Sequence, residues 1–238
     1  DLHSFPTRRS SDLHIEMPKI AAMARKAQPG ILVVDRTVHG EFENYQTPEQ
    51  RIPEQKLDYP WESCMTLGNG WSWITNEKYK SSTKIIHTLT EIVAKGGNLL
   101  LGIGPKADGT LSDTVVQRLE EIGRWMNVNG KAIYETRTTE HYRDGNVFFT
   151  KSKTGNPHFA IACLPEGQPT PSTIEWTKNI PAKGSKITLL QIGKTVKYAV
   201  AGDKVTVHVP ESLLKSGAAY PALAFSFIKT PGNDTAQK

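Results

Sequence analysis

The sequence is short of the features that mark several classes of protein. Only two of its 238 residues are cysteines, Cys64 and Cys163, and their separation matches no zinc or redox motif, so we expect two buried free thiols. No apolar run reaches the roughly 18 residues that a membrane-spanning helix needs. The net charge of +5 is not gathered in a basic block interleaved with aromatics, which disfavours nucleic-acid binding. The composition, with 37% hydrophobic and 22% charged residues, is typical of a soluble globular protein.

The first thirteen residues, DLHSFPTRRSSDL, have neither the apolar core of a signal peptide nor helical periodicity. Their codons resemble a widely used DNA-sequencing adapter, so we interpret residues 1–13 as an assembly artefact. We expect the natural protein to begin further upstream and this chain to be its C-terminal part. At the other end, residues 232–238 form a tail that we expect to fray.

Residues 14–137 carry the pattern of an α/β domain. Helical spacing of apolar residues predicts three helices, at 17–28, 81–95 and 111–130. The runs ILVVD, at 31–35, and NLLLGIG, at 98–104, are continuous and apolar, which is typical of strands buried on both faces of a parallel sheet. Because two strands are too few for a complete sheet, the alternation predicts the C-terminal part of a (β/α)8-like barrel.

The sequence pattern changes in residues 138–231. Short β-rich runs such as NVFFTK, HFAIACL and KVTVHVP are separated by turn sequences such as DG and TGNP, without helices between them. This pattern predicts an antiparallel β-sandwich. The predicted fold class is therefore α/β plus all-β, the end of a barrel followed by a sandwich.

The loop after VVD is predicted to run for about 45 residues, against the usual two to six. It is rich in carboxylates and in aromatic residues, namely Phe42, Tyr45, Tyr59, Trp61, Trp71 and Trp73. Aromatic faces over a barrel mouth suit the stacking of sugar rings, whereas the same side chains would also pack two domains together. The pattern alone leaves both interpretations open.

Five ordered segments carry a family resemblance: VVDR, YQTPEQ, PWESCMTLGNGWSW, KGGNLLLGIGPKADGT and RLEEIGRWMNVNGKAIYET. Together they resemble the C-terminal half of the α-L-fucosidases of glycoside hydrolase family 29. The resemblance implies retaining hydrolysis of terminal α-L-fucosyl residues, with an aspartate nucleophile and a second carboxyl group as acid and then base. It also implies a fucosylated oligosaccharide or glycoconjugate as substrate, no cofactor or metal, and a secreted, periplasmic or lysosomal location.

Carried over residue by residue, the resemblance assigns the acid/base role to Glu49 of TPEQ. Such a carboxyl group must be protonated as the glycosidic bond breaks and ionised as water attacks. Glu62 of PWESC is the rival for this role, or an orienting carboxylate. A salt bridge from Glu62 to Arg36 or Arg51 is the structural alternative.

Four residues are predicted to bind the sugar. Arg36, at the end of the VVD run, offers a rigid donor fork to sugar hydroxyls. Trp71 falls where the family places an aromatic against the fucose methyl group, and Trp61 and His39 are further pocket candidates. Core packing for the tryptophans and an ordinary loop position for His39 are the alternatives. The family more often has asparagine where this chain has Gly102, so one local hydrogen bond is expected to differ.

The chain lacks a candidate nucleophile. In the family this aspartate precedes the VVDR strand, and neither Glu16, in a predicted helix, nor Asp12, in the adapter-like segment, can replace it. We therefore expect the parent protein to be an α-L-fucosidase and this chain alone to be inactive. A non-catalytic carbohydrate-binding module and a glycosidase of another specificity, such as a galactosidase, are the alternatives.

Overall fold

The computed structural model describes residues 16–34 and 40–230. The interpretation of residues 1–13, the predicted tail at 232–238 and the predicted sugar contacts of Arg36 and His39 therefore lie outside the described residues. Their assignments stay predictions.

The first half of the chain contains the three predicted helices: α1 (Met17–Ala27), α2 (Ser82–Ala94) and α3 (Asp113–Asn129). Ser81 caps α2, where its hydroxyl accepts a hydrogen bond from the backbone N–H of Lys84 at 3.1 Å. On α3 the side chain of Val116 is exposed, whereas Trp125 is buried. Trp125 packs in a core cluster with Phe148 and Ile161.

Two parallel strands lie in this half, β1 (Glu62–Thr66) and β2 (Asn98–Gly102). With α2 between them they form a β-α-β unit, as predicted for the region. The predicted loop of about 45 residues is wrong, because β1 interrupts it. Strand β2 is also not buried on both faces, since Leu100 is about half exposed.

The predicted strand at 31–35 is not formed over residues 31–34. Leu32 is 69% exposed, and the backbone of Val33 bonds to Asn44, accepting from its N–H at 2.8 Å and donating to its Oδ1 at 2.9 Å. The position beside β1 is taken by residues 46–49, through the parallel bridges Gln46–Trp61 and Glu49–Cys64. The apolar run therefore does not occupy the sheet position that its composition suggested.

The second half is the predicted antiparallel sandwich. Its strands are β3 (Thr136–Asp144), β4 (Val147–Ser152), β5 (Pro157–Cys163), β6 (Thr173–Thr177), β7 (Ile187–Leu189), β8 (Lys194–Val196), β9 (Tyr198–Ala201), β10 (Lys204–His208) and β11 (Ala222–Ile228), with a short helix α4 (Glu211–Leu214) before β11. One sheet has the order β3-β4-β5-β11-β7-β8 and the other β6-β10-β9. The domain boundary predicted after residue 137 stays a prediction.

The six-stranded sheet is covered on both faces. One face packs on the smaller sheet through a core that includes Phe149, Trp176 and Phe225. The other face packs on α2 and α3 through Phe148, Ile161 and neighbouring apolar residues. The indole N–H of Trp125 donates to the carbonyl of Ala222 at 2.9 Å, so the helical layer is tied directly to β11.

Candidate functional site

The carboxyl ends of β1 and β2 meet at one edge of the molecule. Because the two strands are parallel and Thr66 pairs with Gly102, the loops that follow them start side by side. The backbone N–H of Leu67 donates to the carbonyl of Gly102 at 2.8 Å. In α/β barrels the active site is built on this edge.

Glu49 is held at this edge by its backbone and by its side chain. The N–H of Gln50 donates to the carbonyl of Cys64 at 2.8 Å, and the N–H of Cys64 donates to the carbonyl of Pro48 at 3.1 Å. The carboxylate Oε1 of Glu49 accepts a hydrogen bond from Trp71 Nε1 at 3.0 Å. The structure therefore brings together the predicted acid/base and the predicted aromatic sugar contact, and both side chains are open to solvent.

Trp71 lies over Gly102, the last residue of β2. A Cβ atom at Gly102 would lie 2.9 Å from Cε3 of the indole ring, which is too close for two carbon atoms. The ring remains 44% exposed, so one face is covered by the strand end and the rest is accessible. The absence of a side chain at Gly102 thus makes room for the tryptophan ring.

Glu62 lies at the other end of β1, opposite Asn98. It precedes Cys64, the bridge partner of Glu49, by two residues, which is roughly 6.6 Å along a strand. No salt bridge joins Glu62 to Arg51 within residues 16–34 and 40–230. The alternative partner, Arg36, lies outside the described residues, so that part of the prediction stays a prediction. Glu62 begins β1, whereas the loop that carries Trp71 follows the last residue of the strand, Thr66.

Trp61 does not reach the surface. Its exposed fraction is 1%, and its ring fills the space that a side chain at Gly97 would need, with 2.4 Å from a Cβ built there to Cε2. Its indole N–H has no hydrogen-bond partner in the described part of the chain. In this arrangement Trp61 packs the core, which was the alternative to its predicted role in sugar binding.

The loop that carries Trp71 is braced by two charged residues that the sequence did not single out. Lys80 Nζ donates to the carbonyl of Gly68 at 3.0 Å and to that of Thr66. Burial lowers the pKa of the Lys80 ammonium, and the nearby carboxylate of Glu77 acts in the opposite direction. Glu77 in turn accepts from Asn69 Nδ2 at 2.8 Å. Lys80 thereby fixes the start of the loop, where it leaves β1 at Thr66.

Replacing Gly102 with alanine is expected to displace Trp71 and to break its hydrogen bond to Glu49. The exposed indole can move, whereas the strand backbone cannot. In a proton–nitrogen correlation spectrum the indole signal of Trp71 should shift, because the N–H exchanges a carboxylate for water. Gly123→Ala on α3, where an added Cβ meets nothing within 4 Å, is the matched control. An unshifted Trp71 signal in Gly102→Ala would show that the contact is not tight.

Within the described residues, no helix combines the length and the apolar character needed to cross a bilayer. The same residues contain no group of three or more histidine, cysteine, aspartate or glutamate side chains placed to hold a metal ion.

A family model described as Alpha-L-fucosidase matches residues 5–131, more than half of the chain. The plasma alpha-L-fucosidase of Homo sapiens is 38% identical over 130 residues, which is 52% of this chain and 27% of that protein. An alpha-L-fucosidase of Branchiostoma floridae is 30% identical over 182 residues, which is 72% of this chain and 38% of that protein. The chain thus spans well under half of the length of these relatives.

Solved structures extend the likeness to nearly the whole chain. The alpha-fucosidase of Thermotoga maritima, solved with a mechanism based inhibitor, matches with a TM-score of 0.74 and 27% identity over 90% of this chain and 49% of that one. The alpha-L-fucosidase isoenzyme 1 of Paenibacillus thiaminolyticus matches with a TM-score of 0.75 and 24% identity, over 91% of this chain and 54% of that one. These matches confirm the predicted fold class, the end of a (β/α)8-like barrel followed by a β-sandwich.

Proposed function

Because this chain belongs to the alpha-L-fucosidase family, we propose that its parent protein hydrolyses terminal α-L-fucosyl residues of oligosaccharides or glycoconjugates. The observation that carries the site assignment is the 3.0 Å hydrogen bond from Trp71 Nε1 to Glu49 Oε1. It joins the acid/base candidate to the sugar-contact candidate at the carboxyl ends of the parallel strands, where barrel enzymes have their active sites.

The proposed reaction is a retaining double displacement. A carboxylate nucleophile attacks the anomeric carbon while Glu49 protonates the glycosidic oxygen, so that the leaving group departs as an alcohol. Glu49, now ionised, removes a proton from water, and the water attacks the glycosyl-enzyme to release fucose with its configuration retained. The indole N–H of Trp71 orients the carboxyl group of Glu49 in both steps. Glu62 is less suited to this role because it lies at the end of β1 that is opposite to the loop of Trp71.

Trp71 and Arg36 complete the proposed fucose site. The exposed part of the Trp71 ring offers an apolar surface for the C6 methyl group, and Arg36 offers hydrogen-bond donors for the hydroxyls. Tryptophan suits a methyl group better than a hydroxymethyl group, because the latter would leave a hydroxyl against the ring without a partner.

We further propose that the 238-residue chain is inactive by itself. Retaining hydrolysis needs two carboxyl groups about 5 to 5.5 Å apart. The family resemblance puts the nucleophile before the VVDR segment, where this chain offers no counterpart. Glu49 alone would have a proton to donate but no partner to form the covalent intermediate.

The test is to incubate the intact parent protein with an aryl α-L-fucoside and with the matching aryl α-L-galactoside, which differs only in a hydroxyl at C6. We expect cleavage of the fucoside with kcat/KM about 10-fold or more above that for the galactoside. The 238-residue chain, assayed in parallel, should release no aryl alcohol above a blank without protein. Preference for the galactoside would contradict the substrate assignment. Turnover by the chain alone that Glu49→Gln abolishes would contradict the missing nucleophile.

A further inference from the structure

Gln50, the residue after Glu49, has a backbone conformation that is rare for a residue with a side chain. Its φ angle is 54°, in the left-handed region, where a Cβ atom crowds the backbone and glycine is favoured. Two contacts hold it there. Its N–H donates to the carbonyl of Cys64 at 2.8 Å, and its amide Nε2 donates to Thr66 Oγ1 at 3.1 Å. Strained residues held by their neighbours in this way cluster at functional sites.

The turn at Gln50 ends the segment that runs beside β1. Residues 46–49 follow this strand in parallel, and the last bridge joins Glu49 to Cys64. An extended continuation would carry the chain further along the strand, with successive side chains on opposite faces. The left-handed turn instead leaves the side chain of Gln50 on Thr66, the last residue of β1. Glu49 therefore lies between a paired backbone and an anchored neighbour.

The hydroxyl group of Thr66 has a fixed direction. Thr66 is 1% exposed, and its single hydroxyl proton is donated to the carbonyl of Gly68 at 2.7 Å. The oxygen accepts from two donors, Gln50 Nε2 at 3.1 Å and Lys80 Nζ at 3.5 Å. Because a hydroxyl group has one donor and two acceptor positions, every position is used. The buried hydroxyl group therefore holds its partners in defined directions.

This hydroxyl group joins the two parts of the chain that meet at the candidate site. Gln50 belongs to the segment of Glu49, and Gly68 belongs to the loop of Trp71. The same two parts are joined a second time by the 3.0 Å hydrogen bond from Trp71 Nε1 to Glu49 Oε1. The contacts form a closed ring through Thr66, so a shift of either part lengthens at least one of them.

We propose that Gln50 and Thr66 are positioning residues for Glu49, and that together they direct its carboxyl group toward Trp71 and the bond that is cleaved. The inference rests on the proposed function. A general acid must lie within hydrogen-bond reach of the oxygen that it protonates, and a displacement of about 1 Å costs roughly 10²-fold in rate. Neither an amide nor a hydroxyl group here transfers the proton, so both residues act only through Glu49.

Two substitutions in the intact protein test this inference. Gln50→Gly removes the amide anchor and also relieves the backbone strain, because glycine adopts positive φ freely. Thr66→Val removes the hydroxyl group and keeps the branched shape. Each variant is assayed on an α-L-fucosyl disaccharide and on an aryl α-L-fucoside with an acidic phenol, whose departure needs little help from an acid.

The ratio of kcat/KM for the disaccharide to that for the aryl fucoside should fall about 10- to 100-fold in both variants. The reason is that only the disaccharide depends on protonation by Glu49. Two matched controls should leave the ratio within about twofold of wild type. Thr66→Ser keeps the hydroxyl group. Glu135→Gly, directly before β3, makes the same kind of change at another residue with a positive φ, 52°.

The outcomes separate the inference from the function beneath it. Wild-type protein that cleaves neither substrate would overturn the proposed function, and the positioning roles with it. Cleavage of both substrates with an unchanged ratio in Gln50→Gly or in Thr66→Val would overturn the positioning roles alone. An equal fall of the ratio in Thr66→Ser or in Glu135→Gly would also overturn them, because the loss would then not come from the hydroxyl group or from the anchor beside Glu49.

Discussion

Glu49→Gln in the intact protein is expected to lower kcat/KM for a fucosyl disaccharide by about 10²- to 10⁴-fold, the usual contribution of a general acid/base. The substitution removes the proton that the leaving sugar needs and the base that the water needs. It keeps the shape of the side chain, and the amide oxygen still accepts from Trp71 Nε1. The loss therefore reports chemistry and not a disturbed fold.

Three comparisons make this result specific. An aryl α-L-fucoside with an acidic phenol should still form the glycosyl-enzyme in Glu49→Gln, and added azide should restore turnover because this anion attacks without a base. Glu62→Gln should lose much less activity. Glu54→Gln, an exposed glutamate of the same segment, should stay within about twofold of wild type. If Glu62→Gln lost activity fully and azide restored it, while Glu49→Gln did neither, Glu62 would be the acid/base and Glu49 would not.

Trp176→Ala is expected to lower the free energy of unfolding by about 3 to 5 kcal/mol, the cost of removing a large aromatic from a core. Trp176 is 1% exposed and lies in the middle of the sandwich, with ring centroids 5.9 Å from Phe227 and 6.2 Å from Phe149. Its indole N–H donates to the carbonyl of Asn179 at 2.9 Å. Alanine would leave both a cavity and a carbonyl without its donor.

Urea denaturation of the chain followed by circular dichroism measures this loss. Trp73→Ala is the matched control, because the same change at a side chain that is 41% exposed should cost far less, about 1 kcal/mol or below. Equal losses at Trp73 and Trp176 would mean that the sandwich core does not dominate the stability of the chain.

The helices and the sandwich were predictable because their patterns are local. Alternating short runs with turn residues indicated the antiparallel half, and helical spacing indicated α1 to α3. Strand β1 was not predicted because three of its residues, Glu62, Ser63 and Thr66, are polar. Its buried hydroxyls find partners elsewhere: Ser63 Oγ donates to the carbonyl of Arg51 at 2.6 Å.

For the ILVVD run the error was the opposite, because a strand was predicted and is not formed over residues 31–34. An apolar run indicates that a segment gains from burial, but it does not say which neighbour will cover it. In the described structure residues 46–49 bridge β1, while Leu32 remains exposed. Which segment pairs with β1 depends on contacts between residues that are far apart in the sequence. A short stretch of sequence does not contain this information.

The sequence indicated candidate residues for the site but not their geometry. The family resemblance indicated Glu49 and Trp71, yet their hydrogen bond spans 22 residues of sequence. The contacts that hold Pro53 and Gln55 are more distant still, with sequence separations of 42 for Lys95 and Pro53 and 87 for Tyr142 and Gln55. Only the folded chain brings these groups together.

The most direct test of the central claim is to find which residue carries the covalent sugar. The intact protein would be treated with an activated 2-fluoro fucoside, which forms the glycosyl-enzyme but releases it slowly, and then digested for peptide mass spectrometry. With Glu49 as acid/base and the nucleophile elsewhere, the labelled carboxylate should lie outside residues 14–238 of this chain. A label on Glu49, or on Glu62, would contradict the proposed roles.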